Sequence, residues 1–201
     1  LAKRAAMVFG DPGAFVDLVL AAPAFAVQTV AAALGVADVQ QQSLEQSVAA
    51  FLAERHALLV LDNCEHALAE LAPLVERILA ACPRMTVLAT SRERLALPGE
   101  RVLHVGPLPL ASGAEALFAD RARAVDERFA AAPAVIAAIC ARLDGLPLAI
   151  EPAAARAASL GPQGLLAALD DILRPVSGGR GGDRRHTSLR AVVEWSHRLL
   201  S

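Results

Sequence analysis

The sequence predicts an α/β domain built on a parallel sheet, followed by an all-α domain. Three observations carry this reading. Ala57-Leu58-Leu59-Val60-Leu61-Asp62 is an unbroken apolar run closed by an acid, the pattern of a strand buried on both faces of a parallel sheet. Over the first two-thirds of the 201 residues, short β-rich runs alternate with amphipathic helical runs, which argues for strand–helix–strand units. Beyond Pro107-Leu108-Pro109-Leu110 only helical patterns remain.

Taken in order, residues 1–8 read as the end of a helix closed by the turn Gly10-Asp11-Pro12-Gly13. Phe15–Val19 is a short strand candidate, and Ala24–Leu34 a helix stopped by Gly35. Ser43–Arg55 is a helix whose Ser43 and Gln46 form a capping-box pattern. The strand Ala57–Asp62 is followed by a long helix over His66–Cys82, a second buried strand over Met85–Thr90 and a third over Arg101–Val105. Helices then cover Gly113–Val125, Pro133–Leu143, Pro147–Ser159 and Pro162–Leu169. Three of these open on a proline, whose missing N–H costs nothing in the first turn. Pro152 falls in the second turn of its helix, where it removes the bond to the Leu148 carbonyl and predicts a kink. Ser177–Asp183 is a flexible glycine-rich connector, and Thr187–Leu200 a final amphipathic helix with Leu189, Val192, Val193, Leu199 and Leu200 apolar. The expected organisation is a sheet domain over 1–108, a helical domain over 109–174, a linker over 175–186 and the start of a further domain over 187–201.

Composition excludes several classes. A net charge of −2 gives no electrostatic footprint for direct nucleic-acid binding, and 3% aromatics with no Tyr leave no stacking platform for single strands. The apolar runs fall short of the roughly 20 residues a membrane span requires, so no membrane partner is expected. Three cysteines without a C-x-x-C pattern read as reduced thiols in the cytoplasm. Of the 19 basic residues, 18 are Arg and one is Lys3. A phosphate-binding G-K-[ST] loop therefore cannot lie within these residues.

Asp62 is the most informative position. A buried parallel strand delivers the side chain at its C-terminal end into the crevice where α/β sheets bind ligands, and a carboxylate there can hold Mg²⁺ through water beside nucleotide phosphates. The alternative is an Asp that caps the next helix. Leu88-Ala89-Thr90-Ser91-Arg92 ends the neighbouring strand in a hydroxyl pair and an always-charged guanidinium fork, suited to sensing phosphate. The alternative is a Ser91 cap with a surface arginine. Leu143-Asp144-Gly145-Leu146-Pro147-Leu148-Ala149 is chemically a turn and a proline-initiated helix. Cys64, His66 and His56 are close in sequence but match no zinc-ligand spacing, and Cys140 reads as a core residue.

These segments, in this order, resemble the STAND class of P-loop signal-transduction ATPases and its NB-ARC-type nucleotide-binding unit, nearest to that of bacterial LuxR-like transcriptional regulators. Leu59–His66 is similar to the family's Walker B segment, and Ala89–Leu95 to its sensor segment. Gly145–Ala149 resembles its GLPLA segment, and Leu189–Ser196 the first helix of its winged-helix domain. The likeness covers nearly the whole chain. It implies a P-loop NTPase-like sheet domain that binds ATP or ADP with Mg²⁺ and hydrolyses ATP to reset a switch. It implies that Asp62 supports Mg²⁺, that Thr90, Ser91 and Arg92 face the terminal phosphate, and that Gly145, Leu146 and Pro147 pack against the adenine. Glu65 either orients water or serves as a first-turn helix acid. The family's Walker A loop is expected immediately before Leu1, and Asn63 replaces a carboxylate after Asp62. The expectation is thus a partial ATP/ADP switch module, with a non-catalytic module that associates with full-length relatives or with itself as the alternative.

Overall fold

In a computed structural model, the described residues are 13–37 and 42–173 together with residue 4. The chain divides into two compact units, Leu1–Leu103 and His104–Ser201. The expected helix over 1–8, apart from residue 4, the connector and the final helix over Thr187–Leu200 lie outside the described residues. Among those residues, no helix is long and apolar enough to cross a membrane.

The first unit is mixed α/β. Its sheet has three parallel strands in the order β1 (Ala14–Asp17), β2 (Ala57–Asp62) and β3 (Met85–Ala89). Between β1 and β2 run α1 (Ala26–Leu34) and α2 (Leu44–Leu52), and between β2 and β3 runs α3 (Leu68–Ala81). The central strand is buried along its length until Asp62. Its alternate residues serve two faces, as the two-residue period of a strand requires. Ala57, Leu59 and Leu61 enter the main core with Val30, Leu52, Leu71, Leu74 and Ile78 from the helices. Leu58 and Val60 form a second cluster with Phe15 and Leu88.

Local signals set most boundaries. Gly35 ends α1 with φ of 72°, the left-handed conformation glycine adopts freely. The capping box at α2 is complete: Ser43 accepts from the Gln46 N–H at 3.3 Å, and the Gln46 side chain accepts from the Ser43 N–H at 3.1 Å. β1 stops two residues earlier than expected because the Asp17 carboxylate accepts the Val19 N–H at 3.0 Å and turns the chain. A single 3-10 turn, Cys64–His66, precedes α3.

One expected strand does not form. Residues 101–105 join no sheet among the described residues, with Val102, Leu103 and Val105 exposed by 41%, 86% and 71%. A strand gains its stability from a paired neighbour and a buried face, and this segment has neither there.

The second unit is helical. After a wide turn at Leu110–Ala114 come α4 (Glu115–Val125), α5 (Pro133–Arg142) and α6 (Pro147–Leu173). Phe118 and Phe129 meet edge to face, with ring centroids 6.0 Å apart, among Ile139, Leu143, Ile150, Leu165 and Leu169. Arg142 on α5 forms a two-pronged ion pair with Asp170 on α6. The helices expected over Pro147–Ser159 and Pro162–Leu169 appear as one element interrupted at Gly161, whose φ of 71° and ψ of 157° are not helical. Gly161 is the only interruption within α6, so the backbone dihedrals stay helical through Pro152. The break falls between the two expected helices, where glycine frees the backbone and Pro162 can start a new turn.

Gly161 and Gly164 give opposite expectations. Gly161→Ala places a side chain in a region essentially reserved for glycine and should cost about 1–3 kcal/mol. Gly164→Ala meets only Leu160 Cβ at 3.7 Å, an ordinary contact, and should stabilise by about 0.5–1 kcal/mol through the helix preference for Ala. Chemical denaturation of the two variants checks both signs.

Candidate functional site at the C-terminal edge of the sheet

The strand order places the C-terminal ends of all three strands at one edge, the position where α/β sheets present ligand-binding side chains. Register sets the details. Asp17 stands opposite Asp62 in the β1–β2 pair. The β2–β3 ladder continues past its last pair through the Thr90 N–H to the Leu61 carbonyl at 2.9 Å and the Cys64 N–H to the Thr90 carbonyl at 2.9 Å. Those two bonds hold Thr90 beside Asp62.

The Thr90 hydroxyl donates to Asp62 Oδ1 at 2.5 Å and accepts from the Asn63 N–H at 3.1 Å. Asn63 has φ of 63° and ψ of 50°, a left-handed conformation that Asn tolerates better than most residues. Its side-chain amide donates to Asp17 Oδ1 at 3.3 Å. Asp62 is half-buried, and the Thr90 bond is the one hydrogen bond to its carboxylate among the described residues. The expectation that Asp62 caps the next helix has no such bond behind it: the turn after it starts at Asn63 with no side-chain cap.

Glu65 and Arg92 form the outer part of the site. Arg92 Nε lies 3.5 Å from Glu65 Oε1, with the two side chains 77% and 30% exposed. A pair this open is worth about 0–1 kcal/mol, so either partner is available to a stronger one. Ser91 connects Thr90 to Arg92, but its Oγ accepts the Glu93 N–H at 3.2 Å and serves the local turn. The structure therefore brings together Asp62 with Thr90, and Glu65 with Arg92.

Gly145, Leu146 and Pro147 belong to the second unit. Gly145 has φ of 65°, and a Cβ there would stand 2.4 Å from the Leu108 carbonyl oxygen. Its own carbonyl accepts the Leu108 N–H at 2.9 Å. That close backbone approach requires glycine for structural reasons alone. Leu146 is half-buried against the helical core, and Pro147 is exposed as the first residue of α6.

The Cys64, His66 and His56 neighbourhood is dispersed. His56 precedes β2, at the opposite end from Asp62. His66 Nε2 bonds the Ala21 carbonyl at 2.9 Å, and the Cys64 thiol is buried on the Leu61 carbonyl at 3.5 Å. Burial first, then the Glu65 and Asp62 charges, push that thiol up to about 12. Cys140 is buried in the helical core, as its apolar helical face predicts.

Sequence reasoning passed over Asp17 and undervalued Asn63. The signal for Asp17 was present: Phe15-Val16-Asp17 is an apolar run closed by an acid, as is Leu59–Asp62. For Asn63, the clue was a residue type that tolerates positive φ directly after a strand.

With this geometry in view, comparison with known proteins adds a relation. The chain is 44% identical over 192 residues to an HTH-type transcriptional regulator of Mycobacterium tuberculosis, and equally to one of Mycobacterium bovis. The match takes in 93% of this chain and 22% of each regulator. A second Mycobacterium tuberculosis protein, named as uncharacterized, is 49% identical over 152 residues, 74% of this chain and 39% of that protein. The chain thus spans about a fifth of the length of the regulators it matches. No family model matches it.

Two outcomes test the site's internal chemistry. Thr90→Val strips the partner from both Asp62 Oδ1 and the Asn63 N–H and should destabilise the fold by about 1–3 kcal/mol, whereas Thr90→Ser should cost far less, as read by urea unfolding. In the folded protein the Cys64 thiol keeps its proton up to about 12, while the unfolded chain releases it near the ordinary 9.0. Unfolding therefore releases a proton above that value, and this group's contribution to stability is lost as pH rises from 9.0 towards 12. Cys64→Ala should show a shallower alkaline decline than wild type in the same assay.

Proposed function

We propose that this chain is part of an ATP/ADP-binding switch module of a STAND-type, LuxR-like transcriptional regulator. The observation that carries the reading is the Asp62 carboxylate at the C-terminal end of the central parallel strand, oriented by Thr90 and flanked by the Glu65–Arg92 pair. The similarity to part of two HTH-type transcriptional regulators supports the regulatory context.

The donor set fits a hydrated Mg²⁺. Such an ion takes oxygen ligands in an octahedron and keeps several waters, so one carboxylate at a crevice can hold it. Bound Mg²⁺ would supply charge neutralisation at the nucleotide phosphates. Asp62 would hold the ion through water, and Thr90 would fix the carboxylate. Ser91 would stay with the local turn until a phosphate oxygen competes for its hydroxyl. Arg92 would leave Glu65 for the terminal phosphate, because a guanidinium binds phosphate through two parallel N–H bonds. Glu65, released, could then orient a water. The phosphate-cradling G-K-[ST] loop of such ATPases is not among these 201 residues, which contain no lysine after Lys3.

Equilibrium titration with a fluorescent ADP, with and without Mg²⁺, tests the proposal. Asp62→Asn should remove the Mg²⁺ dependence, a loss of about tenfold or about 1.4 kcal/mol, and Arg92→Ala should erase any preference for ATP over ADP. Binding that ignores both substitutions would end the reading.

A further inference from the structure

We propose that Asp17 is a positioning residue for Asp62, acting through Asn63; the role in cation binding rests on the function proposed above. Four bonds make the connection. Asp17 Oδ1 accepts the Val19 N–H at 3.0 Å, which fixes its own rotamer, and the Asn63 side-chain amide at 3.3 Å. The Asn63 N–H donates to Thr90 Oγ1 at 3.1 Å, and the Thr90 hydroxyl donates to Asp62 Oδ1. The relay crosses the ends of all three strands. Its acceptor end is an in-register neighbour of Asp62 itself, since Asp17 and Asp62 are paired across β1 and β2.

The relay has a physical consequence. Asn63 immediately follows Asp62 in a left-handed conformation, φ 63°, and the backbone direction there decides where its N–H points. The Asp17 bond holds the Asn63 side chain and so restrains that turn. The restrained N–H occupies one acceptor lone pair of the Thr90 oxygen, and the hydroxyl proton goes to Asp62 Oδ1. One carboxylate oxygen is thereby committed, and the other is presented in a single orientation. Asp17 needs only an acceptor oxygen for this, not a charge, and that separates positioning from direct metal ligation.

The experiment uses the 201-residue chain in two arms. Without ligand, amide hydrogen exchange at Asn63 should quicken roughly fivefold in Asp17→Ala, the scale of one ordinary hydrogen bond. It should return to the wild-type rate in Asp17→Asn, whose amide oxygen accepts the same two bonds, while Val60 in the strand is unchanged in both. An unchanged Asn63 amide in Asp17→Ala overturns the relay. With Mn²⁺ and ADP, followed by paramagnetic relaxation, Asp17→Ala and Asn63→Gly should each weaken Mn²⁺ binding by a similar factor. Asn63→Gly keeps the left-handed backbone available and removes only the side chain. The double variant should be no weaker than either single one, because both lie on one path. Asp17→Asn should bind as wild type does. Loss in Asp17→Asn equal to that in Asp17→Ala would make Asp17 a ligand and overturn positioning. If wild type binds no Mn²⁺ with ADP, the nucleotide reading falls, and the exchange arm alone decides whether the relay exists.

Discussion

The pairing of the central strand on both edges is the constraint on which the candidate site depends. β2 is bonded to β1 on one side and β3 on the other, all parallel. Its apolar residues are buried towards two separate clusters. A slip of one residue in either pairing would exchange those faces, moving Leu59 and Leu61 out of the helix-covered core. Hydrophobic burial thus sets the register, and the register places Asp17, Asp62 and Thr90 at one edge. The polar relay at that edge follows from apolar packing below it.

The site has two layers of different strength. Near the sheet, Thr90 is held by two backbone bonds and its hydroxyl is shared between Asp62 and Asn63. Further out, Glu65 and Arg92 meet in an exposed pair that water and salt weaken. The carboxylate held by Thr90 and the more exposed outer pair therefore differ in how readily they exchange partners. The second unit contributes a different kind of constraint. At Gly145 the backbone of Leu108 comes too close for any side chain, so the glycine is accounted for before any ligand is invoked.

Residue patterns over short spans were sufficient for much of the fold. The strand Ala57–Asp62, the capping box at Ser43 and Gln46, the stop at Gly35 and the helix starts at Pro133 and Pro147 all appear where the sequence places them. Each depends on interactions within a few residues or on a run of apolar side chains. Residues 101–105 show the limit of such reasoning. Their composition suits a strand, but among the described residues no neighbour pairs with them. At Pro152 the backbone dihedrals stay helical, and the chain leaves helical φ/ψ only at Gly161, while α6 buries Ile150, Ala153, Ala154 and Ala157 in the helical core.

By itself, the sequence determined the class of the chain, a parallel α/β region followed by helices, and the candidate positions Asp62, Thr90 and Arg92. Those features lie in local runs, and local runs carry their own energetic preferences. Only the tertiary structure decided that Asp17 faces Asp62, that Asn63 takes a left-handed turn between them, and that Thr90 closes the relay. These contacts join residues separated by 27 to 46 positions. They exist because burying both faces of β2 brings distant strand ends together, and no span of sequence short enough to be read as a motif contains that information.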